Sequence, residues 1–172
     1  NVRRNGGQVH FASTGEQVCE IIQGIARNHG VKLIVKAKSM ASEEIHLAQV
    51  LESDGIEVVE TDLGEFIIQI DHDRPSHIVT PVIHRTTKQI AKIFERVLGI
   101  PYCEDPETLT MHARKHLREK FRAADMGTCG CNFGVAETGT VAIVTNEGNG
   151  RYSTSRPRVV VALMGIEKLV PT

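Results

Sequence analysis

The sequence lacks both an excess of charge of one sign and an apolar run long enough to cross a bilayer. Its 20 basic and 21 acidic residues give a formal net charge of −1, whereas proteins built mainly to coat nucleic acid carry a clear basic excess. The first residues, NVRRNGGQVHF, contain no apolar segment of the kind found in signal peptides. We therefore expect no membrane span and no nucleic-acid partner.

Two nucleotide-binding motifs are also absent. No G-x-x-x-x-G-K-S/T sequence is present, which argues against a P-loop, and no G-x-G-x-x-G follows a predicted strand. The four cysteines, Cys19, Cys103, Cys129 and Cys131, show no regular spacing and match no ferredoxin pattern. This indicates free thiols and a cytoplasmic location, because the cytoplasm is a reducing compartment. It also predicts no metal or cofactor bound by this chain itself.

What is present is the composition of an ordinary globular domain. Hydrophobic residues make up 41% of the chain and charged residues 24%. The 172 residues suffice for one domain with a sizeable core, and we expect that domain to span residues 1–172. Because the first residue is Asn rather than Met, we also expect the chain to be a fragment of a longer protein.

Capping signals predict five helices. Each begins with a Ser, Thr or Asp whose side chain can accept a hydrogen bond from the first turn. The predicted starts are Thr14, Ser42, Asp62, Thr86 and Asp105. The second helix is expected to end at Gly55, and the last, the longest, near Ala124. The segment FIIQI, which follows Asp62, also fits a strand.

Short apolar runs between and after these helices predict strands. They are expected at residues 32–36, 56–60, 77–80, 132–136, 141–145 and 158–163. The alternation implies an α/β fold in which helices cover a mostly parallel or mixed sheet. Ligands of such sheets usually lie at the carboxyl ends of the strands, so polar residues that follow the predicted strands are the first candidates for a binding site.

The segment KAKSMASEE, residues 36–44, follows one predicted strand and is the first candidate site. The ammonium groups of Lys36 and Lys38 and the backbone N–H groups of Ser39, Ser42 and Glu43 could hold a carboxylate or a phosphate. The alternative is simple helix capping by Ser42, with both lysines in solvent. The sequence favours neither.

The segment TNEGNGR, residues 145–151, is the second candidate. Asn146, Glu147 and Asn149 are polar, the glycines bend the chain, and Arg151 can offer a forked donor to a carboxylate. Gly-Asn clusters are ordinary turn chemistry, which favours the alternative of a hairpin loop with a solvated arginine.

Glu137 stands at the corner Glu137–Thr140, between two predicted strands. Thr138 lies beside it, and Gly139 would let another backbone or a ligand come close. Loop carboxylates are mostly solvated, so the local sequence favours a turn residue over a carboxylate presented to a ligand.

Histidine and cysteine pairs give weaker signals. His112 and His116 share a helix face, but no H-E-x-x-H motif or third zinc ligand accompanies them, so a surface pair is expected. Cys129 and Cys131 could bind a metal or cycle between redox states, although two thiols do not complete a metal site. Buried small side chains are the favoured interpretation.

Several long strings resemble the LUD domain of the lactate-utilisation iron–sulfur proteins of the LutB type, and the likeness extends from about Val9 to the end of the chain. The strings are KAKSMASEEIHL (36–47), GIEVVETDLGEFIIQI (55–70), RPSHIVTPVIH (74–84), LREKFRAADMG (117–127), VAETGTVAIVTNEGNGR (135–151) and ALMGIEKLVPT (162–172). The two cysteines at 129 and 131 depart from the aliphatic or small residues expected there.

The resemblance implies a three-layer α/β/α sandwich of the sugar-isomerase and CoA-transferase-like superfamily. It also implies a role in oxidising L-lactate to pyruvate with companion subunits, and a C-terminal region with two 4Fe-4S clusters in the full-length protein. In related folds a Glu before a small residue and Gly can be catalytic, which by analogy makes Glu137 the candidate catalytic residue.

These implications define an expected pocket. Lys36, Lys38 and the 39–43 turn would bind a small anion such as lactate, while Glu137 and the 146–151 loop would form the opposite wall. The rival hypotheses are a non-catalytic scaffold that passes electrons through clusters elsewhere, and a small-anion or CoA-ester enzyme of the same fold.

Overall fold

The computed structural model describes residues 1–77 and 80–172. A four-stranded sheet forms its centre, with strand order β2-β1-β3-β6 and every neighbouring pair parallel. These strands are β1 (Leu33–Lys36), β2 (Glu57–Glu60), β3 (Met126–Gly130) and β6 (Val159–Leu163). The expected α/β class with a mostly parallel sheet is confirmed.

Helices cover the two faces of this sheet. They are α1 (Gly15–Asn28), α2 (Met40–Glu44), α3 (Leu47–Ser53), α4 (Leu63–Asp71), α5 (Thr87–Leu98), α6 (Pro106–Ala123) and α7 (Asn149–Ser155). One core packs α1 and α3 against strand residues such as Ile34, Val58 and Met126. A second core packs α4, α5 and α6 against Leu33 and Val59 on the opposite face. Alternate strand residues thus serve two cores, and the result is a three-layer α/β/α arrangement.

A smaller sheet lies outside the central one. It contains β4 (Phe133–Val135), β5 (Thr140–Ala142) and β7 (Leu169–Val170), in the order β5-β4-β7. Strands β4 and β5 are antiparallel and form a hairpin, whereas β7 runs parallel to β4. The predicted strands at 132–136 and 141–145 correspond to this hairpin, and residues 143–145 continue as coil.

Most predicted helix starts are confirmed by the caps. Thr14, Asp62, Thr86 and Asp105 each accept a hydrogen bond from the first turn of a helix, and Thr86 forms a complete capping box with Gln89. The segment FIIQI is helical, not a strand. The predicted strand at 77–80 includes residues 78 and 79, which lie outside the described residues.

Two element predictions were wrong. The helix predicted from Ser42 to Gly55 is two helices: α2 is capped by Ser39, and the chain breaks at His46, which has a left-handed φ of 52°. The loop predicted at 146–151 becomes helix α7 from Asn149 onward, with Gly148 before it at φ 80°. Sequence reasoning also missed β3, because MGTCG is poor in β-branched residues.

Gly127 in β3 positions helix α7. A Cβ atom at this residue would lie 1.7 Å from the backbone oxygen of Ser153, so α7 can pack on the strand only where the side chain is a hydrogen. Ser153 is fully buried there. The glycine that obscured the strand in the sequence is the residue that lets α7 reach the sheet.

Candidate functional site

The strand order creates a switch point between β1 and β3. From β1 the chain first adds β2 on one side, and later adds β3 and β6 on the other. Connections that leave in opposite directions open a crevice at the carboxyl ends of the two central strands. Lys36 is the last residue of β1, and Gly130 is the last of β3.

A buried charge cluster occupies this end of the sheet. Lys36 is 1% exposed, and its Nζ lies 3.0 Å from Glu60 Oε1, at the end of β2. The same ammonium contacts Glu43 of α2, whose side chain is 46% exposed. One buried cation is therefore shared by a buried carboxylate and by a carboxylate that reaches solvent.

Burial and pairing shift both pKa values. Burial opposes the charge of Lys36, but the carboxylates of Glu60 and Glu43 outweigh it and raise the lysine pKa above its ordinary value. Burial raises the pKa of Glu60 to about 7, although the ammonium of Lys36 acts in the opposite direction. Glu60 can therefore exchange a proton near neutral pH.

A second ion pair lies beside the first. Lys38 Nζ is 3.0 Å from Glu65 on α4, and both line a cavity of about 250 Å³ together with Met40, Glu43 and Glu44. Residues 75–77 complete the described lining. Carboxylates outnumber ammonium groups around this cavity, so an anionic ligand would have to compete with them.

The serines of the predicted turn act in helix capping. Ser39 Oγ accepts a hydrogen bond from the Ser42 backbone N–H at 3.4 Å, and Ser42 Oγ donates to the Ser39 carbonyl at 2.7 Å. A Cβ atom at Gly130 would lie 2.8 Å from Ser39 Oγ. The α2 cap thus packs directly on the end of β3, and the glycine makes this approach feasible.

Part of the 146–151 segment reaches the same edge. Thr61 follows β2, and its N–H and Oγ1 both donate to the Lys36 carbonyl, at 3.0 and 2.9 Å. Asn149 Nδ2 lies 3.5 Å from Thr61 Oγ1, and Glu147 Oε2 accepts from the Leu63 N–H at 3.4 Å. Burial, with the nearby carboxylate of Asp62, raises the pKa of Glu147. Asn146 and Arg151 are exposed.

Glu137 lies in a different setting. It is exposed in the β4–β5 hairpin of the small sheet, and its backbone N–H donates to the Pro171 carbonyl at 3.0 Å. Thr138 Oγ1 donates to Thr140 Oγ1 at 2.8 Å. Gly139 has φ +72°, and a Cβ there would lie 2.4 Å from the Val2 nitrogen. The close approach expected at Gly139 is made by the chain's own N-terminal residues. The catalytic role of Glu137 stays a prediction.

Sequence reasoning missed three residues of the charge cluster region. Glu60, Glu65 and Thr128 were not named as site residues. Thr128 pairs in register with Lys36, and its buried Oγ1 has no hydrogen-bond partner in the described part of the chain. Glu60 could have been found, because it ends the strand IEVVE and parallel strands end at one edge.

The described residues include no group of three His, Cys, Asp or Glu side chains arranged to hold a metal ion. His116 packs against Phe66 with ring centres 5.5 Å apart, and burial lowers its pKa. Nor does any helix in residues 1–77 or 80–172 combine the length and apolarity needed to cross a membrane.

The fold and the site define an α/β domain with a polar cluster at the carboxyl edge of a parallel sheet. The model of the LUD domain family matches residues 1–172, and the chain belongs to that family. No solved structure gives a significant match, so membership of the sugar-isomerase and CoA-transferase-like superfamily stays a prediction.

Similar proteins share one name. The chain is 51% identical to Lactate utilization protein B of Bacillus licheniformis and 51% identical to that of Bacillus subtilis. It is 50% identical to the protein of the same name from Geobacillus kaustophilus. Each comparison covers 100% of this chain and 36% of the relative, so the chain spans about a third of the length of these proteins.

Proposed function

We propose that this domain serves a lactate-utilisation system and contributes the ligand site of a protein that oxidises L-lactate to pyruvate. The observation that supports the proposal is the identity of about 50% along the whole chain with proteins named Lactate utilization protein B. The carboxyl-edge cluster supplies the chemistry that a 2-hydroxy acid requires.

Lys36 binds the lactate carboxylate in this proposal. The ammonium is desolvated and held by a strand, which favours a strong charge-assisted contact. Glu43 holds the position of the ligand carboxylate in the structure, and its half-exposed side chain can turn into solvent when the ligand enters. An exchange of one carboxylate for another keeps the buried ammonium paired, so no charge is left uncompensated.

Glu60 accepts the proton of the lactate hydroxyl. Its pKa of about 7 places it in the range where a carboxyl group both accepts and returns protons near neutral pH. Thr128 Oγ1, in register with Lys36 and without a partner among the described residues, is available to orient the hydroxyl. These residues replace Glu137 as the first candidates, while Glu137 remains to be tested.

The oxidation also breaks the lactate C2–H bond, and the two electrons and the second proton pass to an acceptor outside this chain. The 4Fe-4S clusters expected for the full-length protein need four cysteine ligands each. Cys19 lies on α1 and Cys103 precedes α6, and only Cys129 and Cys131 are close in sequence. The described residues therefore do not fit such a cluster, and electron acceptance by clusters or companion subunits elsewhere is part of the proposal.

A chimera tests the proposal in the context of a whole protein. The matching segment of the Bacillus subtilis relative would be replaced by this chain, in cells that lack their own copy. We expect growth on L-lactate as the sole carbon source. The same chimera with Glu60→Gln should accumulate, support growth on glucose and fail on lactate. A stable chimera that supports no growth on lactate would contradict the proposed function.

A scaffold without a ligand site is the second candidate, and one observation favours it. Both lysines of the predicted anion site are already paired with carboxylates. Thermal unfolding with lactate, pyruvate, CoA or phosphate separates the candidates, because a ligand of the folded state raises the midpoint. Protection by lactate or pyruvate that is lost in Glu60→Gln favours the ligand site. Protection by CoA alone favours a CoA-ester enzyme, and no protection favours the scaffold.

A further inference from the structure

The two cysteines at the end of β3 are nucleophilic groups that the proposed chemistry does not use. Cys129 is 3% exposed and Cys131 is 5% exposed, and both are free thiols. One residue separates them along the chain, and in an extended segment residues two apart have their side chains on the same face. Gly130, between them, faces Ser39 on the opposite side.

The spacing of the pair allows a bond between the sulfurs. Two steps along a strand separate Cα atoms by about 6.6 Å, just inside the upper limit of about 6.8 Å for a disulfide. The Cβ atoms must come within about 4.5 Å of each other, so closing the bond requires the backbone between the two cysteines to bend. Gly130 gives the intervening backbone the freedom to adjust. No such route exists for the other two cysteines, which lie on separate elements, Cys19 on α1 and Cys103 in the segment before α6.

We infer that Cys129 and Cys131 form a reversible oxidation site, closing to a disulfide when a small peroxide reaches the end of β3. Cys131 attacks first, because it lies just beyond the strand and is followed by the exposed Asn132. The interaction with the Cys129 thiol lowers the pKa of Cys131, and Lys168 acts in the same direction, whereas burial opposes them. The same pairing raises the pKa of Cys129, which makes it the resolving thiol.

The two steps balance. The Cys131 thiolate attacks one peroxide oxygen, the O–O bond breaks, and hydroxide leaves and takes up a proton as water. Cys131 is then a sulfenic acid. The Cys129 sulfur attacks the Cys131 sulfur, the S–O bond breaks, and the oxygen leaves as water with the Cys129 proton. Two thiols lose two electrons, and the peroxide is reduced to two waters.

Oxidation of the cysteine pair would alter the packing of helix α2 at the proposed ligand site. A disulfide closes a small ring around Gly130, the residue against which the Ser39 cap of α2 packs. Helix α2 carries Glu43, which contacts Lys36. The redox state of the pair and the position of Glu43 are thereby connected, although the oxidation itself does not depend on the proposed function.

Mass spectrometry of the intact chain tests the inference. Hydrogen peroxide should remove about two mass units, one hydrogen from each thiol, and dithiothreitol should restore them. Trypsin would place the loss on the peptide 123–151, which contains both cysteines and no internal Lys or Arg. A Cys19→Ser, Cys103→Ser double variant should behave identically, since neither residue takes part.

Single variants separate the roles. Cys129→Ser should trap a sulfenic acid at Cys131 that reacts with dimedone, whereas Cys131→Ser should yield neither disulfide nor dimedone adduct. The inference is overturned if, in the wild-type chain, peroxide oxidises Cys103 while Cys129 and Cys131 both remain alkylatable after unfolding. Sulfinic acid at Cys131 without a disulfide would overturn it as well. Both readouts use the wild-type protein, so they hold even where a variant fails to fold.

Discussion

The carboxyl edge of the central sheet and the β4–β5 hairpin were both expected to face one pocket, but their charged side chains differ in burial. At the sheet edge, Lys36 and Glu60 are 1% and 7% exposed and paired with each other. In the hairpin, Glu137 is exposed. Charged groups withdrawn from water have shifted pKa values and tightly constrained positions. A sheet edge built from three strands can impose such burial, whereas a short exposed corner between two strands cannot.

The largest effect on the free energy of unfolding is expected from a substitution at a glycine of the central sheet. Gly127→Ala should destabilise the domain by roughly 3 kcal/mol or more, because the new Cβ meets the Ser153 backbone oxygen at 1.7 Å. Gly134→Ala in the small sheet is the matched control. Its Cβ would meet the flexible end of Met164 at 2.9 Å, so we expect about 1 kcal/mol or less. Urea unfolding of both variants gives the values, and equal losses would contradict the difference between the two sheets.

The next effect concerns pH. Glu60 has a folded-state pKa of about 7 against an ordinary value of 4.5, so the folded state binds its proton more tightly than the unfolded state does. The stabilisation of the folded state by this tighter proton binding is fully present below about pH 4.5 and is lost as the pH rises through about 7. Glu60→Gln cannot titrate. Relative to this variant, the wild-type free energy of unfolding should fall by up to about 3 kcal/mol between about pH 4.5 and pH 8.

Denaturant unfolding at several pH values measures this difference, and other titrating groups cancel because both proteins contain them. A constant difference between wild type and Glu60→Gln across the range would refute the raised pKa.

Lys36→Met should lower the free energy of unfolding by about 2 kcal/mol near pH 8 and by less near pH 5. At the lower pH the unpaired Glu60 takes up a proton, so no uncompensated charge stays buried. The double variant with Glu60→Gln should recover most of the loss, since neither charge remains. The double-mutant cycle compares all four proteins by chemical unfolding. If the double variant is as unstable as Lys36→Met alone, the loss arises from packing rather than from the charge pair.

The smallest effect is expected at Glu137. Glu137→Gln should change the free energy of unfolding by less than about 0.5 kcal/mol, because surface substitutions away from special features have little effect. In the chimera, unchanged growth on lactate would identify Glu137 as a turn residue. A roughly hundredfold loss of lactate oxidation in a protein of normal stability would instead restore it as a proton-transfer group.

Sequence reasoning succeeded where one residue controls a local feature. Caps at Thr14, Asp62, Thr86 and Asp105 predicted helix starts because the capping side chain and its donor are neighbours in the chain. It failed where long-range contacts decide. The sequence of β3 is typical of a turn, and it is a strand because β1 and β6 pair with it on both sides.

The candidate site likewise could be predicted where a local pattern decides, and not where long-range contacts decide. Lys36 was recognisable because it ends an apolar run, but its partner Glu60 lies 24 residues away and appears only when β1 and β2 are placed in register. The two walls expected of one pocket were connected by analogy of fold, and no local pattern reports the distance between a hairpin and a sheet edge.

Strand β6 has a consequence for how the isolated domain behaves at high concentration. It pairs with β3 on one side, stands last in the described strand order, and leaves Val160 43% exposed. An open strand edge with apolar side chains is a template for pairing between molecules. Self-association that grows with concentration should therefore begin along β6, and a lysine at Val160 would suppress it, because a charge on an edge strand opposes stacking against a second copy.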